Sequence, residues 1–279
     1  MQVISKGKKM RGIGVGFDAP MTAGGLCEIV PAIDCRDAAP TTSSRYAHIS
    51  TRDVIGGLEV EGWQVVGAGT ALTRDPARRR FASHLIRLRH PDLAKGSDGI
   101  PELLLRNNHS GGASWEAMGG YFRIICANGL VASDGAIAAL RVRHTPTAVR
   151  GVIEAAAEIA RTMPQVVARI DDWRGRYLSP EARTEFSARA LALRWPTDAP
   201  CDAPALLAAR RPEDQGDDVW RTLNRLQENL LRGCEPTPGW TRPTSAGGKL
   251  CAIRAVRAIA PTVTINRGLW ALAEHYASA

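Results

Sequence analysis

"RNNHSGGASWEAMGGYFRIICANGL", residues 106–130, sets three asparagines, one histidine and five glycines into an otherwise apolar run. Asn107, Asn108 and His109 follow a strand-like segment and precede Gly111 and Gly112, which admit positive φ. The stretch therefore reads as a tight polar turn whose Asn and His side chains satisfy its own backbone groups. Gly119 and Gly120 then precede the strand "YFRIICAN", and Asn128-Gly129 closes it with a hairpin signal. A strand with a reversal at each end makes its neighbours antiparallel. Glycines so placed also let another backbone, or a phosphate, approach closely.

Outward from this block the same period of two recurs. Strands are expected at "WQVVGAGTAL" (63–72), "RRFASHLIRLRH" (79–90), "PELLLRN" (101–107) and "AIAALRVRH" (136–144), separated by turn signals such as "RDPA" and "KGSDG". "TRDVIGGLEVEGW" (51–63) reads as a helix ending at Gly62. From residue 146 the period changes: Val149, Val152, Ile153, Ala156, Ile159, Ala160 and Met163 line one side of a helix, and the stripe resumes at Val166, Val167, Ile170 and Trp173. Pro164 is expected to kink or split it. Ser179 as N-cap with Pro180 behind it starts a second helix that stops before Pro196. Asp217 or Asp218 starts a third, which ends at Gly233. "TVTI" (262–265) is expected as a strand, with a last helix from Asn266. The fold class is α+β: a mainly antiparallel sheet with helices packed on it and a helical C-terminal half. Residues 1–45 form an irregular arm rich in Gly, Pro, Ser and Thr, 46–145 a strand-rich core, and 146–279 a helical region on the same core. "GIGVG" (12–16) has no strand before it and no Gly-Lys-Ser/Thr after it, so it is not read as a phosphate loop.

With 279 residues, 44% of them apolar, the chain can bury a sizeable core. Its net charge of +8 favours a polyanionic partner, nucleic acid first. The six cysteines are scattered without metal or disulfide spacing and read as reduced thiols in a cytosol. The N-terminus is too briefly apolar for a signal peptide, and no charge-free run is long enough to span a bilayer. A cytoplasmic protein without membrane contact is expected.

Alternation puts Leu85, Arg87 and Arg89 on one strand face and His84, Ile86 and Leu88 on the other. Arg141 and Arg143 share a face of their own strand, and Arg106 and Arg123 join if the strands form one sheet. Arg87, Arg89, Arg123, Arg141 and Arg143 are thus candidate phosphate contacts, because guanidinium presents paired donors to phosphate. The alternative is an ordinary solvated sheet face with acidic neighbours such as Glu102. His84, His90, His109 and His144 all fall in the strand region, but their spacing matches no metal pattern, and no metal or other cofactor is expected. "HSGGAS" lacks the nucleophile elbow, and no catalytic residue is assigned.

The segments "SSRYAHISTRDVIGGLEVEGW", "FASHLIRLRH", "LLLRNNHSGGASWEAMGGYFRIICANGLV", "VRHT", "LNRLQENLLRG" and "INRGLWALAEHYA" carry a resemblance. From Ser43 to Tyr276 the chain resembles the phage/plasmid-like family, number nine hundred thirty-two in the domain-of-unknown-function series, with the Phe-Arg-x-x-Cys-x-Asn-Gly block at 122–129 as its core. The resemblance implies carriage on mobile genetic elements and no established activity. Where that family commonly has Asn-Ser-His-Asp-Gly, this chain has Asn107-Asn108-His109-Ser110-Gly111, which weakens any scheme needing a carboxylate there. A helix ending in Gly62-Trp63 before strands also resembles the start of the Rad-type single-strand annealing proteins; that likeness is one of fold.

The leading expectation is a mobile-element protein that binds single-stranded nucleic acid, single-stranded DNA above all, as an annealing protein in recombination, with Trp115 or Tyr121 either stacking a base or packed in the core. Asn107, Asn108, His109, Gly111, Gly112, Asn128 and Gly129 are the motif and turn residues. A metal-assisted hydrolase or nuclease centred on His109 is a second reading. A non-enzymatic interaction module presenting helices 217–232 and 266–277 is a third, and a homo-oligomer is left open.

Overall fold

Helix α2, Thr51–Val60, begins where Ser50 accepts a hydrogen bond from the Asp53 amide, and it ends at Gly62, whose φ is +90°. The computed structural model describes residues 15–21, 23–44, 46–71, 73–123, 129–131, 140–142, 148–233, 241–243, 250–256 and 258–278. Contacts divide the chain into two units, which meet in sequence between Gln165 and Val166.

In the first unit, β1 (Val15–Met21), β2 (Gln64–Thr70), β3 (His84–Arg89), β4 (Gly99–Asn107), β5 (Trp115–Arg123) and β6 (Gly129–Val131) pair in that order, and β7 (Leu140–Val142) also pairs with β5. Every pairing is antiparallel. β6 and β7 share one edge of β5, against Gly120–Phe122 and Trp115–Ala117 respectively. The expected α+β architecture is therefore present. The remaining helix before the sheet's centre, α1 (Ala23–Ile29), precedes a 3₁₀ turn at Pro31–Asp34. Two expectations need correction here. Part of the 1–45 arm is regular: β1 joins the sheet edge, since pairing Gly16 with Gly67 needs backbone groups and no apolar pattern. The fifth strand also starts earlier than expected, at Trp115, so that Gly119 and Gly120 lie within it.

Gly120 has a packing reason. A Cβ built there would stand 2.3 Å from Leu104 Cδ1 and 3.0 Å from Phe122 Cε2, both in the buried sheet interior. We expect Gly120→Ala to cost about 1–3 kcal/mol through overpacking, read as a lowered urea midpoint; an unchanged midpoint would contradict this packing account.

Helix α3, Ala148–Gly175, runs through Pro164 as one 28-residue helix and is not split. Its first half belongs to the first unit, where the Ile153 side chain lies so close over Gly57 that an added Cβ would be 2.7 Å away. The unit boundary thus falls inside this helix, later than the change of period at 146.

The second unit is helical, with α4 (Pro180–Arg194), α5 (Val219–Arg232) and α6 (Ile259–Ser278), plus a two-stranded ribbon of β8 (Thr241–Pro243) and β9 (Leu250–Ala252). The Ser179 and Asp218 caps stand as expected, accepting from the amides of Ala182 and Arg221, and Gly233 has φ +65°. "TVTI" is helical rather than extended: Ile259, Val263, Asn266, Leu269, Trp270 and Ala273 are buried along one side of α6, and Pro261 sits in its first turn, where no amide is needed. Trp173 meets Trp270 with ring centroids 4.6 Å apart, and Phe186 stacks on Tyr276 at 4.8 Å. α5 is buried on nearly all sides despite its polar residues, which are mutually satisfied: Gln227 donates to Asn266, Asn229 donates to the carbonyls of Leu206 and Ala208, and Glu228 pairs with Arg211 and Arg232. A helix so enclosed is not the interaction surface expected of residues 217–232.

Candidate nucleic-acid interface

The polar turn after β4 works as a clasp. Asn107 Oδ1 accepts from the Asn108 amide at 2.7 Å, Asn108 Oδ1 accepts from the Ser110 amide at 2.7 Å, and Gly111 takes φ +77°. From outside the turn, the Ala39 amide donates to the His109 carbonyl at 3.1 Å and the Tyr46 hydroxyl donates to the Asn108 carbonyl at 3.3 Å. Burial pushes the pKa of the Tyr46 hydroxyl up to about 12. The turn thereby fastens residues 39–51 to the sheet.

Beneath it, Thr51 at the start of α2 meets three side chains. Its hydroxyl lies 2.9 Å from His84 Nε2, 3.2 Å from His109 Nε2 and 3.2 Å from Asn107 Nδ2. His84 Nδ1 lies 2.9 Å from the Ala82 carbonyl and must donate to it, so His84 Nε2 is the acceptor for the Thr51 proton. Thr51 then accepts from Asn107 and from His109 Nε2–H, and the cluster is satisfied with both imidazoles neutral. His84 and His109 are both fully buried, and desolvation pushes the pKa of His84 down to about 4. The His48 ring stacks at 4.7 Å from that of His109, yet among the described residues no group of three or more His, Cys, Asp or Glu side chains is placed to hold a metal ion. A ring buried like His109 has no exposed face to offer a substrate, and the hydrolase reading draws no support from this geometry.

The strand arginines come together as alternation predicts, but their donors are already engaged. Register places Arg87, Arg106 and Glu116 on one face with Leu85, Leu104 and Phe122. Arg87 binds Glu102 in two-pronged fashion, Nε to Oε2 at 2.7 Å and Nη2 to Oε1 at 3.1 Å, while Arg89 Nη2 reaches the same Oε1 at 2.7 Å. The Arg87 guanidinium also lies 3.6 Å over the Phe122 ring. Arg106 pairs with Glu116 at 3.1 Å. Arg123 is on the opposite face, since it alternates with Phe122, and pairs with Asp98 at 2.9 Å. Arg87 and Arg123 are only 8% and 7% exposed, and Glu102 is fully buried. This is an internal ion-pair ladder, and a phosphate would have to displace buried carboxylates to use it. Arg141 is in register with Glu116, its side chain lying outside the described residues together with Asn128 and Arg143. Trp115 and Tyr121 are 1% and 0% exposed, so neither can stack a base.

Exposed cationic groups stand instead at the tip of the β2–β3 hairpin. Asp75 caps a 3₁₀ turn, Pro76–Phe81, by accepting from the Ala77 amide, and Phe81 anchors it in a buried cluster with Cys35 and Ala39. Arg74, Arg78, Arg79 and Arg80 are all exposed on this segment. Among the described residues only Arg78 of the four meets a carboxylate, Asp75 at 3.5 Å in an open setting. Reading "RDPA" as a bare turn passes over these side chains. The signal in the sequence is the unbroken Arg-Arg-Arg triplet shortly after Asp-Pro, because three successive guanidinium groups cannot all be buried.

An α+β chain built on this antiparallel sheet and its clasped polar turn belongs to the family described as Domain of unknown function (DUF932), whose model matches residues 40–270. Among its relatives, UPF0380 protein YafZ and UPF0380 protein YfjQ of Escherichia coli (strain K12) are each 34% identical over 258 residues, covering 92% of this chain and 92% of the relative. No solved structure matches, so the likeness to Rad-type annealing proteins gains no support from that side. No helix among the described residues is long and apolar enough to cross a membrane.

Proposed function

We propose that this protein binds single-stranded nucleic acid through the phosphates, with Arg74, Arg78, Arg79 and Arg80 as its contacts in place of the strand arginines. The observation that carries the reading is the four exposed guanidinium groups on one anchored turn, in a chain of net charge +8. Side chains at consecutive positions of a 3₁₀ turn radiate about 120° apart. A flexible strand can bend its phosphates around such a cluster, whereas a duplex presents them at fixed spacing, which favours the single-stranded form. The resemblance to phage- and plasmid-borne proteins supports mobile-element DNA in the cytoplasm as the ligand, with strand annealing in recombination as the step that binding would serve.

Titrating a labelled oligonucleotide across a salt series tests this. Replacing Arg78, Arg79 and Arg80 together by glutamine should weaken binding and flatten the salt slope by about 0.7 for each phosphate no longer neutralised. These side chains are exposed, so the variant's stability should change by no more than about 0.5 kcal/mol. A folded variant with wild-type affinity and slope would refute the assignment.

A further inference from the structure

The opposite end of the β2–β3 hairpin has a different character. Gln64 pairs with Arg89, so Trp63 and His90 come together just beyond the paired strands, their rings edge to face at 5.4 Å. They line a cavity of about 380 Å³ whose apolar walls include Leu58, Leu93 and Ile153. His90 is fixed there, its Nε2 on the Glu61 carbonyl at 3.0 Å and its Nδ1 accepting from the Asp92 amide at 3.2 Å. Glu61 and Asp92 stand at the mouth, and the cation that also lines it, Arg161, is already paired with Glu158 at 2.8 Å. Beside the mouth is Val60, 85% exposed at the end of α2 and one of two large apolar side chains so exposed among the described residues. An acid-rimmed apolar cavity with an exposed valine at its lip marks a contact surface rather than ordinary solvated protein.

We infer that this cavity receives the Arg78–Arg80 segment of a second copy of the chain. Charge complementarity selects the occupant: a guanidinium can reach Glu61 and Asp92 while its aliphatic stem lies along Trp63, Leu58 and Leu93. Donor turn and acceptor cavity lie at opposite ends of one seven-residue strand, roughly 20 Å apart at 3.3 Å per residue. One contact therefore leaves a free donor on one copy and a free acceptor on the other. The association is head-to-tail, and it grows until it closes as a ring or continues as a filament. Nucleic acid would compete for the same arginines, but the self-association itself does not rest on the nucleic-acid reading.

Sedimentation velocity of nuclease-treated full-length protein at low ionic strength tests the inference. Wild type should show mass-dependent growth beyond a dimer. Glu61→Lys with Asp92→Lys should be monomeric, and so should Arg78→Glu with Arg79→Glu. Mixed in equal amounts, these two variants retain one intact donor and one intact acceptor between them, so they should form a 1:1 dimer and nothing larger. If the lysine variant fails to fold, Glu61→Gln with Asp92→Asn serves in its place, with weakened association expected. Wild type that stays monomeric up to roughly 0.2 mM, a mixture that stays monomeric, or either variant associating like wild type would each overturn the proposal. The cavity variant should keep wild-type affinity for an oligonucleotide. Wild type that associates but binds no oligonucleotide sinks only the nucleic-acid reading.

Discussion

Arg87→Gln is expected to lose about 3–5 kcal/mol of folding stability, because it strands a buried carboxylate. Glu102 is fully buried, and Arg87 donates two of the hydrogen bonds it accepts, with Arg89 giving a third. A glutamine can replace neither the charge nor the paired donors, and the Arg89 bond alone comes from a side chain 35% exposed. The stack over Phe122 is lost as well. Removing both charges should be far milder: Arg87→Met with Glu102→Leu leaves no stranded ion, and Arg89 can turn to solvent, so a net change of about 1–2 kcal/mol in either direction is expected. Urea denaturation of the two variants decides the matter. Should Arg87→Gln cost less than about 1 kcal/mol, the ladder is behaving as a surface ion pair and the buried-carboxylate account fails. The same experiment bears on function, since loss of oligonucleotide binding in Arg87→Gln would follow unfolding and would not reveal a phosphate ligand.

This ladder shows how far the sequence is legible. The period of two at 84–89 tells correctly that Leu85, Arg87 and Arg89 share a face, because alternation is a property of one strand. What Arg87 faces depends on register, a relation between strands: it pairs with Leu104, and this brings Glu102 within reach across the ladder. Nothing within either segment specifies that offset. For Arg123 the missing fact is parity, since it joins the other arginines only if its strand is in phase with theirs, and it alternates with the residue that is. The helix caps at Ser179, Asp218 and Gly233 are readable because capping is local chemistry. "TVTI" misleads because β-branched residues carry strand propensity, while packing of the Ile259–Ala273 stripe makes the segment helical. The turn at 107–111 is legible as a turn, yet its burial is not, since the segment that covers it comes from residues 39–51.

Acid should expose the other half of that clasp. With the pKa of His84 held down to about 4 in the folded protein against an ordinary 6.5, the folded state refuses a proton that the unfolded chain accepts throughout the interval between those values. Above 6.5 His84 is neutral in both states and contributes no pH dependence. As the pH falls from 6.5 toward 4 its contribution is lost progressively, about 3 kcal/mol in all from a difference near 2.5 units, and below about 4 the loss levels off. The cause is geometric as well as dielectric: a proton on His84 Nε2 would face Thr51, whose oxygen already accepts from Asn107 and His109 and whose own proton points at that nitrogen. Carboxylates also titrate in this range, so the stability of wild type and of His84→Gln should be compared at each pH. The advantage of wild type should shrink by about 3 kcal/mol between about pH 7 and about pH 4. Proton–carbon NMR of the imidazoles in the native protein gives a reading that needs no variant to fold, and there the His84 signal should stay at its neutral shift down to about pH 5. A midpoint at about 6 or above would mean that the Thr51 cluster does not hold His84 neutral, and the clasp would have to be explained by packing alone.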